Sequence, residues 1–319
     1  MGAGLTLAKE YWNTYGNRLL DAAEALEPGL SLRLSAGLAG EGSQCLGYDD
    51  PISRDHDFGP GFCLWMNDED FRAYGPALQR VYEELPSSFR GFTRQNIQAR
   101  HRLGVMSVSR FYDALTGIPQ DTQDWLFLSE SALACAVSGE IWLDGCPQFK
   151  EVRQMLAGFY PEDVRRKKIA ARAAVMAQAG QYNLHRCLKR GDRLAAQLAA
   201  ARFAEAAISM VHLLMYRYTP FYKWAFRSLQ ELAHESSLAA GSAAELMKLA
   251  ELWILEGEEA AVEALRITET ICRLTAEELR KQGLSCSGSD FLQNHLDGIM
   301  SGIEDPQIRA MAPMADPVV

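Results

Sequence analysis

Apolar residues recur at helical spacing over residues 5–26. Leu5, Leu7, Ala8, Tyr11, Trp12, Leu19, Leu20 and Ala23 define an amphipathic helix closed by Pro28 and Gly29. The period then falls to two. Leu32, Leu34 and Ala36 alternate with Ser31, Arg33 and Ser35, which predicts a strand running into a glycine-rich turn. Phe62, Leu64 and Met66 alternate in the same way and predict a second strand. Asn67 or Asp68 then caps a helix through Glu84, and Pro86 closes it. Residues 87–104 are polar, mostly basic in charge and aperiodic, and read as a loop. Val105–Val108 reads as a further strand, Asp121–Ala136 as short helices, and Glu140–Leu143 as a last strand ending at Asp144.

From about Pro147 the pattern changes. Proline and glycine become sparse, and alanine-rich helical spacing dominates. Helices are expected from Pro161, which suits a first helical position, to Ala179, then over 183–203 and 204–218, with a break at Thr219-Pro220. Further helices are expected over 223–239, 242–256, 258–282 and 289–301. The expected fold class is therefore α+β. A mixed sheet with helices spans 1–146, a helical bundle spans 147–305, and a loose tail containing Pro313 and Pro317 spans 306–319.

Length and composition add little beyond a size limit. A chain of 319 residues with 48% hydrophobic and 23% charged residues can bury two sizeable cores. The seven cysteines are scattered and never form a Cys-x-x-Cys pair, which reads as reduced thiols. With no basic start leading into an apolar core, the expected location is the cytoplasm, and the apolar stretch Ala206–Tyr216 is too short to span a bilayer.

Charge is more informative. Twelve basic residues face twenty acidic ones over 1–150, ten face four over 151–200, and ten face seventeen over 201–319. A basic band thus lies between two acidic parts. Phosphates can use such a band, although Arg165-Arg166-Lys167-Lys168 reads better as a solvated helix face. The net charge of −9 argues mildly against a large nucleic-acid partner.

The run from Gly42-Ser43 to Asp55-His56-Asp57-Phe58-Gly59 carries the chemistry. Backbone N–H groups of a glycine-rich turn can hold phosphate oxygens, and the Ser43 hydroxyl adds a donor. Asp55 and Asp57 stand two apart, so on an extended chain both carboxylates point to one side, an arrangement suited to Mg²⁺ beside substrate phosphates. A calcium loop is excluded because the twelfth position from Asp55 is Met66, where a bidentate Glu is needed. Asp57-Phe58-Gly59 lies too near the N-terminus for a kinase metal motif. An acidic turn capping backbone groups is the structural alternative.

These residues resemble the nucleotidyltransferase fold of the DNA polymerase β superfamily, whose signature is Gly-Ser or Gly-Gly followed by Asp-x-Asp or Asp-x-Glu. Gly47-Tyr48-Asp49-Asp50, Ser53, Asp55-His56-Asp57 and Gly59 resemble more closely the bacterial family DUF4037. The likeness continues through Asp124-Trp125-Leu126, Gly139–Asp144, Tyr160-Pro161, the Asn183/Arg186/Arg190 cluster and Pro220-Phe221-Tyr222-Lys223-Trp224. The resemblance implies a nucleotide-binding N-terminal part.

Nucleotidyl transfer commonly uses a third carboxylate, for which Asp144 and Glu130 are candidates. A turn residue and a helix-start carboxylate are the competing readings. Lys223 can contact phosphate with an adjacent aromatic stacked on a base, a reading the resemblance favours over a lysine snorkelling from an aromatic core. Arg186 and Arg190 share a helix face with Asn183 and suit phosphates, with salt bridges to Asp192 or a neighbouring helix as the equal competitor. His56 and the five other histidines lack metal-ligand spacing.

The expected activity is Mg²⁺-dependent transfer of a nucleoside monophosphate from a nucleoside triphosphate, with ATP the first choice, to an acceptor hydroxyl of a small molecule. In that reading Asp55 and Asp57 bind metal, Asp144 assists, and Gly42, Ser43, Lys223, Arg186 and Arg190 hold the nucleotide. The alternative is a non-catalytic nucleotide-binding or interaction module on the same fold.

Overall fold

The computed structural model describes residues 3–54, 58–94, 102–252 and 258–316. The chain is α+β and divides into two compact units, Met1–Gln120 with Ala132–Gly158, and Asp121–Ser131 with Phe159–Val319. The division therefore falls after Gly158 rather than after residue 146, and 121–131 join the helical unit.

In the first unit α1 (Ala3–Leu26) precedes β1 (Ser35–Leu38) and the short α2 (Ser43–Leu46). β2 (Cys63–Met66), α3 (Asp68–Glu83), the hairpin β3 (Ser88–Phe89) and β4 (Phe92–Thr93), β5 (Gly104–Ser107) and α4 (Val108–Asp113) follow. The chain then runs through α5 (Glu130–Val137), β6 (Glu140–Asp144) and α6 (Pro147–Ala157). The sheet is mixed, in the order β5-β2-β1-β6. β1 is antiparallel to β2 and β6, and β2 is parallel to β5.

The alternation that predicts β2 is an alternation between two apolar layers. Leu64 and Met66 join Tyr11 and Leu19 of α1 and Leu78 and Tyr82 of α3 on one face. Trp65 points the other way, stacking on Phe149 of α6 at 4.3 Å and meeting Phe111 of α4 edge-on at 5.2 Å. Helices thus cover both faces, and every residue of β1, β2 and β5 is buried.

Two local readings are corrected here. The strand expected over 32–36 begins at Ser35, after a 3₁₀ turn over Ser31–Arg33. Leu30 and Leu34 are buried while Leu32 is 78% exposed, so the leucines do not alternate as one strand face. The stretch read as a loop contains the β3–β4 hairpin, paired through Phe89 and Phe92. Its turn places Arg90 and Gly91 at positive φ (49° and 83°), a type I′ geometry in which arginine gives no sequence cue.

In the second unit α7 (Glu162–Met176) continues through a π-helical stretch, Ala177–Leu184, into α8 (His185–Lys189). The break comes at Gly191 (φ 70°), after which Asp192 caps α9 (Arg193–Leu214) by accepting from the Ala195 N–H at 3.0 Å. No break occurs at 203/204, where the sequence holds neither breaker nor cap. α9 is long and apolar enough, by length and composition alone, to cross a membrane. It buries Phe203, Met210, Val211 and Leu213 within the unit. α10 (Tyr222–Leu232), α11 (Ser237–Leu252), α12 (Glu258–Lys281), α13 (Leu296–Ser301) and α14 (Pro306–Arg309) complete it.

The basic run on α7 is not a solvated face. Arg165, Lys167 and Lys168 are each 1% exposed, and Arg172 is buried with them. Arg172 donates to Glu130 at 2.8 Å, to Asp316 at 2.9 Å and to Ser209 at 2.6 Å, while Glu130 also accepts from Ser209 at 2.7 Å and Thr219 at 2.5 Å. Lys168 pairs with Asp316 at 3.3 Å. The tail expected to be loose is tied down as far as Asp316. Asp163 accepts from the Glu304 and Asp305 N–H groups, Asp305 caps α14, and Lys167 donates to the carbonyls of Pro313 and Ala315.

Burial alone would raise the Glu130 carboxyl. Arg172, Thr219, Ser209 and Lys168 outweigh it and hold the carboxyl below its usual value. A depressed carboxyl contributes stability that is present above its unfolded pKa, about 4.3, and is lost as pH falls through the lower folded value. Glu130→Gln is therefore expected to lower stability by about 3 kcal/mol at pH 7, measured by urea unfolding. The deficit should shrink below pH 4; a deficit constant across pH would show that shape, not charge, sets the cost.

Candidate functional site

The strand directions gather four chain segments at one end of the sheet. β1 runs toward this end and leaves it through Ala39–Ser43. β2 is antiparallel to β1, so its approach, Phe58–Phe62, lies at the same end. β5 is parallel to β2 and brings Arg102 and Leu103 there, and antiparallel β6 starts there at Glu140. Cross-links hold the segments together. The Gly104 N–H donates to Phe62 O at 2.9 Å, Cys63 Sγ to Arg102 O at 3.0 Å, and the Gly139 N–H to Cys45 O at 2.9 Å.

The turn after β1 demands glycine. Gly40 and Gly42 have φ of 106° and 107°, a region that L side chains rarely adopt. A Cβ on Gly42 would lie 2.4–2.8 Å from the Arg102 guanidinium. That guanidinium therefore sits directly over the turn whose backbone leads into Ser43. Arg102 was not singled out in the sequence because its stretch has no periodicity; only its basic character hinted at it. Cys45, in α2, is no nucleophile, since burial pushes its thiol up to about 12.

The loop between α2 and the acidic pair is fixed by its own polar groups. Asp50 and Ser53 cap each other: the Asp50 N–H donates to Ser53 Oγ at 2.8 Å and the Ser53 N–H to Asp50 Oδ1 at 2.7 Å. Asp49 has a fully buried side chain. Its Oδ2 accepts from the Gly4 N–H of α1 at 3.0 Å and lies 3.9 Å from Arg54. Its Oδ1 has no hydrogen-bond partner among the described residues. Asp55, His56 and Asp57 lie outside the described residues.

Beyond them, Gly59 (φ 138°) lies so close to the hairpin that a Cβ would stand 2.8 Å from Arg94 Cα. Arg94 then donates to Pro60 O and to Tyr11 Oη, both at 2.9 Å, and its guanidinium lies 4.9 Å from the Tyr82 ring centre. The approach to β2 is thereby pinned to α1 and α3.

The carboxylate assignments change with the register. Asp144 is paired opposite Ser35, at the start of β1, and Glu140 opposite Leu38, at its end. Asp144 is thus separated from the Gly42–Ser43 turn by the length of β1, and it pairs with Lys150 at 3.4 Å. Glu140 is the carboxylate at the turn end, held by Lys9 at 3.5 Å and the Trp142 indole N–H at 3.1 Å. Glu130 belongs to the second unit, where its hydrogen bonds give it a structural role.

Lys223, Arg186 and Arg190 are also in the second unit, and all three are exposed. The segment entering α10 is not an aromatic core. Phe221 and Tyr222 are 49% and 73% exposed, and Lys223 Nζ lies 5.5 Å from the Trp224 ring. Arg186 stacks on the exposed Tyr182 at 3.8 Å. Asp192, the competitor for these arginines, serves instead as the cap of α9.

Residues 125–225 match the family model described as a domain of unknown function, DUF4037, which supports that family for this chain. The match takes in Glu130, Asp144, Arg172, Arg186, Arg190 and Lys223, but not the Gly42–Gly59 run. No curated protein matches the chain. No solved structure matches it either.

Gly42→Ala should destabilise the first unit by about 1–3 kcal/mol through backbone strain and collision with Arg102. In an Arg102→Ala background the cost should fall, because only the strain remains. A double-mutant cycle by chemical denaturation checks this, and equal costs in both backgrounds would place Arg102 away from the turn.

Proposed function

We propose that the protein is an Mg²⁺-dependent nucleotidyltransferase of the DNA polymerase β type, using a nucleoside triphosphate with ATP as first choice. The observation that carries this reading is topological. The Gly42–Ser43 turn and the approach to β2, which the Asp55/Asp57 pair immediately precedes, lie at the same sheet end, with the Arg102 guanidinium over Gly42.

The donor set fits a hard cation. Asp55 and Asp57 would hold Mg²⁺, which would neutralise charge on the phosphates and support displacement at phosphorus. The buried, unpartnered Asp49 Oδ1 is a further oxygen of the kind a cation satisfies. Gly42 and Ser43 supply N–H and O–H donors to phosphate oxygens, and Arg102 supplies a planar cation suited to two of them at once.

In the transfer, an acceptor hydroxyl oxygen bonds to the α-phosphorus as the bond to the bridging oxygen breaks. Pyrophosphate leaves with that electron pair, and the hydroxyl proton passes to a base. Glu140 is better placed than Asp144 to assist, because it lies at the turn end of β6. The exposed Lys223 and its neighbours Phe221 and Tyr222 offer a phosphate contact and a stacking surface, and Arg186 and Arg190 are available to phosphates. The acceptor class we favour is the hydroxyl of a small molecule.

Thermal unfolding with each of the four ribonucleoside triphosphates, with and without Mg²⁺, tests this. A triphosphate at 100 times its dissociation constant should stabilise by about 2.7 kcal/mol. The shift should need Mg²⁺, vanish in Asp55→Asn/Asp57→Asn and weaken in Arg102→Ala. No shift with any triphosphate would sink the nucleotide-binding reading; a shift without pyrophosphate release across a panel of hydroxyl acceptors would leave a binding module.

A further inference from the structure

The second unit contains a charged cluster that the nucleotidyltransferase reading does not use. Lys167, Lys168 and Arg172 line one side of α7, and Glu130 supplies a single carboxylate of the unit's interior against them. The remaining acceptors come from a short surface segment, residues 313–316. Lys167 donates to Pro313 O at 3.0 Å and to Ala315 O, and the Asp316 carboxylate takes Lys168 at 3.3 Å and Arg172 at 2.9 Å. Arg165 and Arg166 are served separately by Glu162, at 3.2 and 2.9 Å.

The segment is held by these contacts more than by apolar burial. Ala312, Met314 and Ala315 are exposed, whereas the Asp316 side chain is 3% exposed and enters the cluster. The last anchored apolar residue before it is Ile308. If the segment lifts, three cations face one carboxylate, and buried charges left unpaired are strongly unfavourable. The vacated position would then demand an anion with several oxygens, since Asp316 and two carbonyls together present that pattern. Lys167 is pulled down to about 8 by burial, so it is still mainly protonated at neutral pH.

We propose that Lys167, Lys168 and Arg172 form a binding site for a phosphate-class oxyanion, and that residues 313–316 are its internal occupant. Oxyanion and segment compete for the same three cations, so the anion releases the segment. The arginine fork and two point-charge ammonium groups suit a tetrahedral oxyanion. The site stands independently of the nucleotidyltransferase reading.

Two measurements on the full chain test it. In the first, wild type, Asp316→Ala and Asp316→Ala/Lys168→Met are melted in inorganic phosphate, pyrophosphate, ATP without metal, or sodium chloride of equal ionic strength. Asp316→Ala should melt lower than wild type in chloride and regain more than about 3 °C, saturably, with an oxyanion. The Lys168→Met variant should not regain it. A response to phosphate or pyrophosphate identifies a free oxyanion, and a response to ATP alone identifies a nucleotide's phosphates. Equal shifts in chloride, or rescue that survives Lys168→Met, would overturn the proposal.

The second measurement needs no variant. Hydrogen exchange of wild-type residues 310–316 should speed up with pyrophosphate but not with matched chloride. Unchanged exchange at saturating pyrophosphate would overturn the proposal even if Asp316→Ala fails to fold.

Discussion

The helical unit depends on how Arg172 is kept charged inside it. A guanidinium that is almost wholly buried loses most of its hydration, and only full pairing makes the position tenable. Its Nε goes to Ser209, one terminal nitrogen to Glu130 and the other to Asp316, so three separate parts of the chain are tied to one side chain. The burial acts to lower the arginine's pKa, but Glu130 and Asp316 overcome it and raise the value. Small residues make this possible. Alanines flank Arg172 on α7 and line the facing side of α9, so the two backbones approach closely enough for a 2.6 Å bond to Ser209.

The first unit solves a different problem, that of presenting polar backbone without losing the sheet's two covered faces. Apolar layers on both sides fix the strands, and everything polar is displaced to the strand ends. There the chain uses glycine where backbone or a guanidinium comes close, and short self-capping turns such as Asp50–Ser53 where it must stay still. Arg94 does for the approach to β2 what Asp49 does for the loop after α2: each ties an irregular segment to α1, through Tyr11 and Gly4 respectively.

Much of this fold was legible in the sequence because its signals are local. The alternation of Phe62, Leu64 and Met66, the Asn67 cap and the start of β6 each depend on a few neighbouring residues. What was not legible depends on partners far along the chain. Nothing near Lys167 or Lys168 announces that Pro313, Ala315 and Asp316 will receive them, so a run of four basic residues read as a solvated face. Asp144 was chosen for ending a strand, but which end of a strand faces the turn is settled by pairing, and antiparallel pairing with β1 turned the choice toward Glu140. Arg102 is the same case: its importance comes from contact with Gly42, sixty residues earlier.

The π-helical stretch at Ala177–Leu184 has a consequence of its own. An i→i+5 turn holds more residues than an α-turn, so a helix crossing such a stretch carries spare length that an α-helix lacks. Here the stretch lets Gly180 pass against Phe203 of α9 and Thr268 of α12, where a Cβ would stand 2.4 and 2.7 Å from their side chains. Removing one residue from it would let the α-helix run straight through. The price would be rotation of everything downstream by about 100° about the helix axis, carrying Tyr182, Arg186 and Arg190 to a different side of the bundle. The exposed arginine face is thus set by one surplus residue in the hydrogen-bond ladder, a form of addressing that depends on counting rather than on contact.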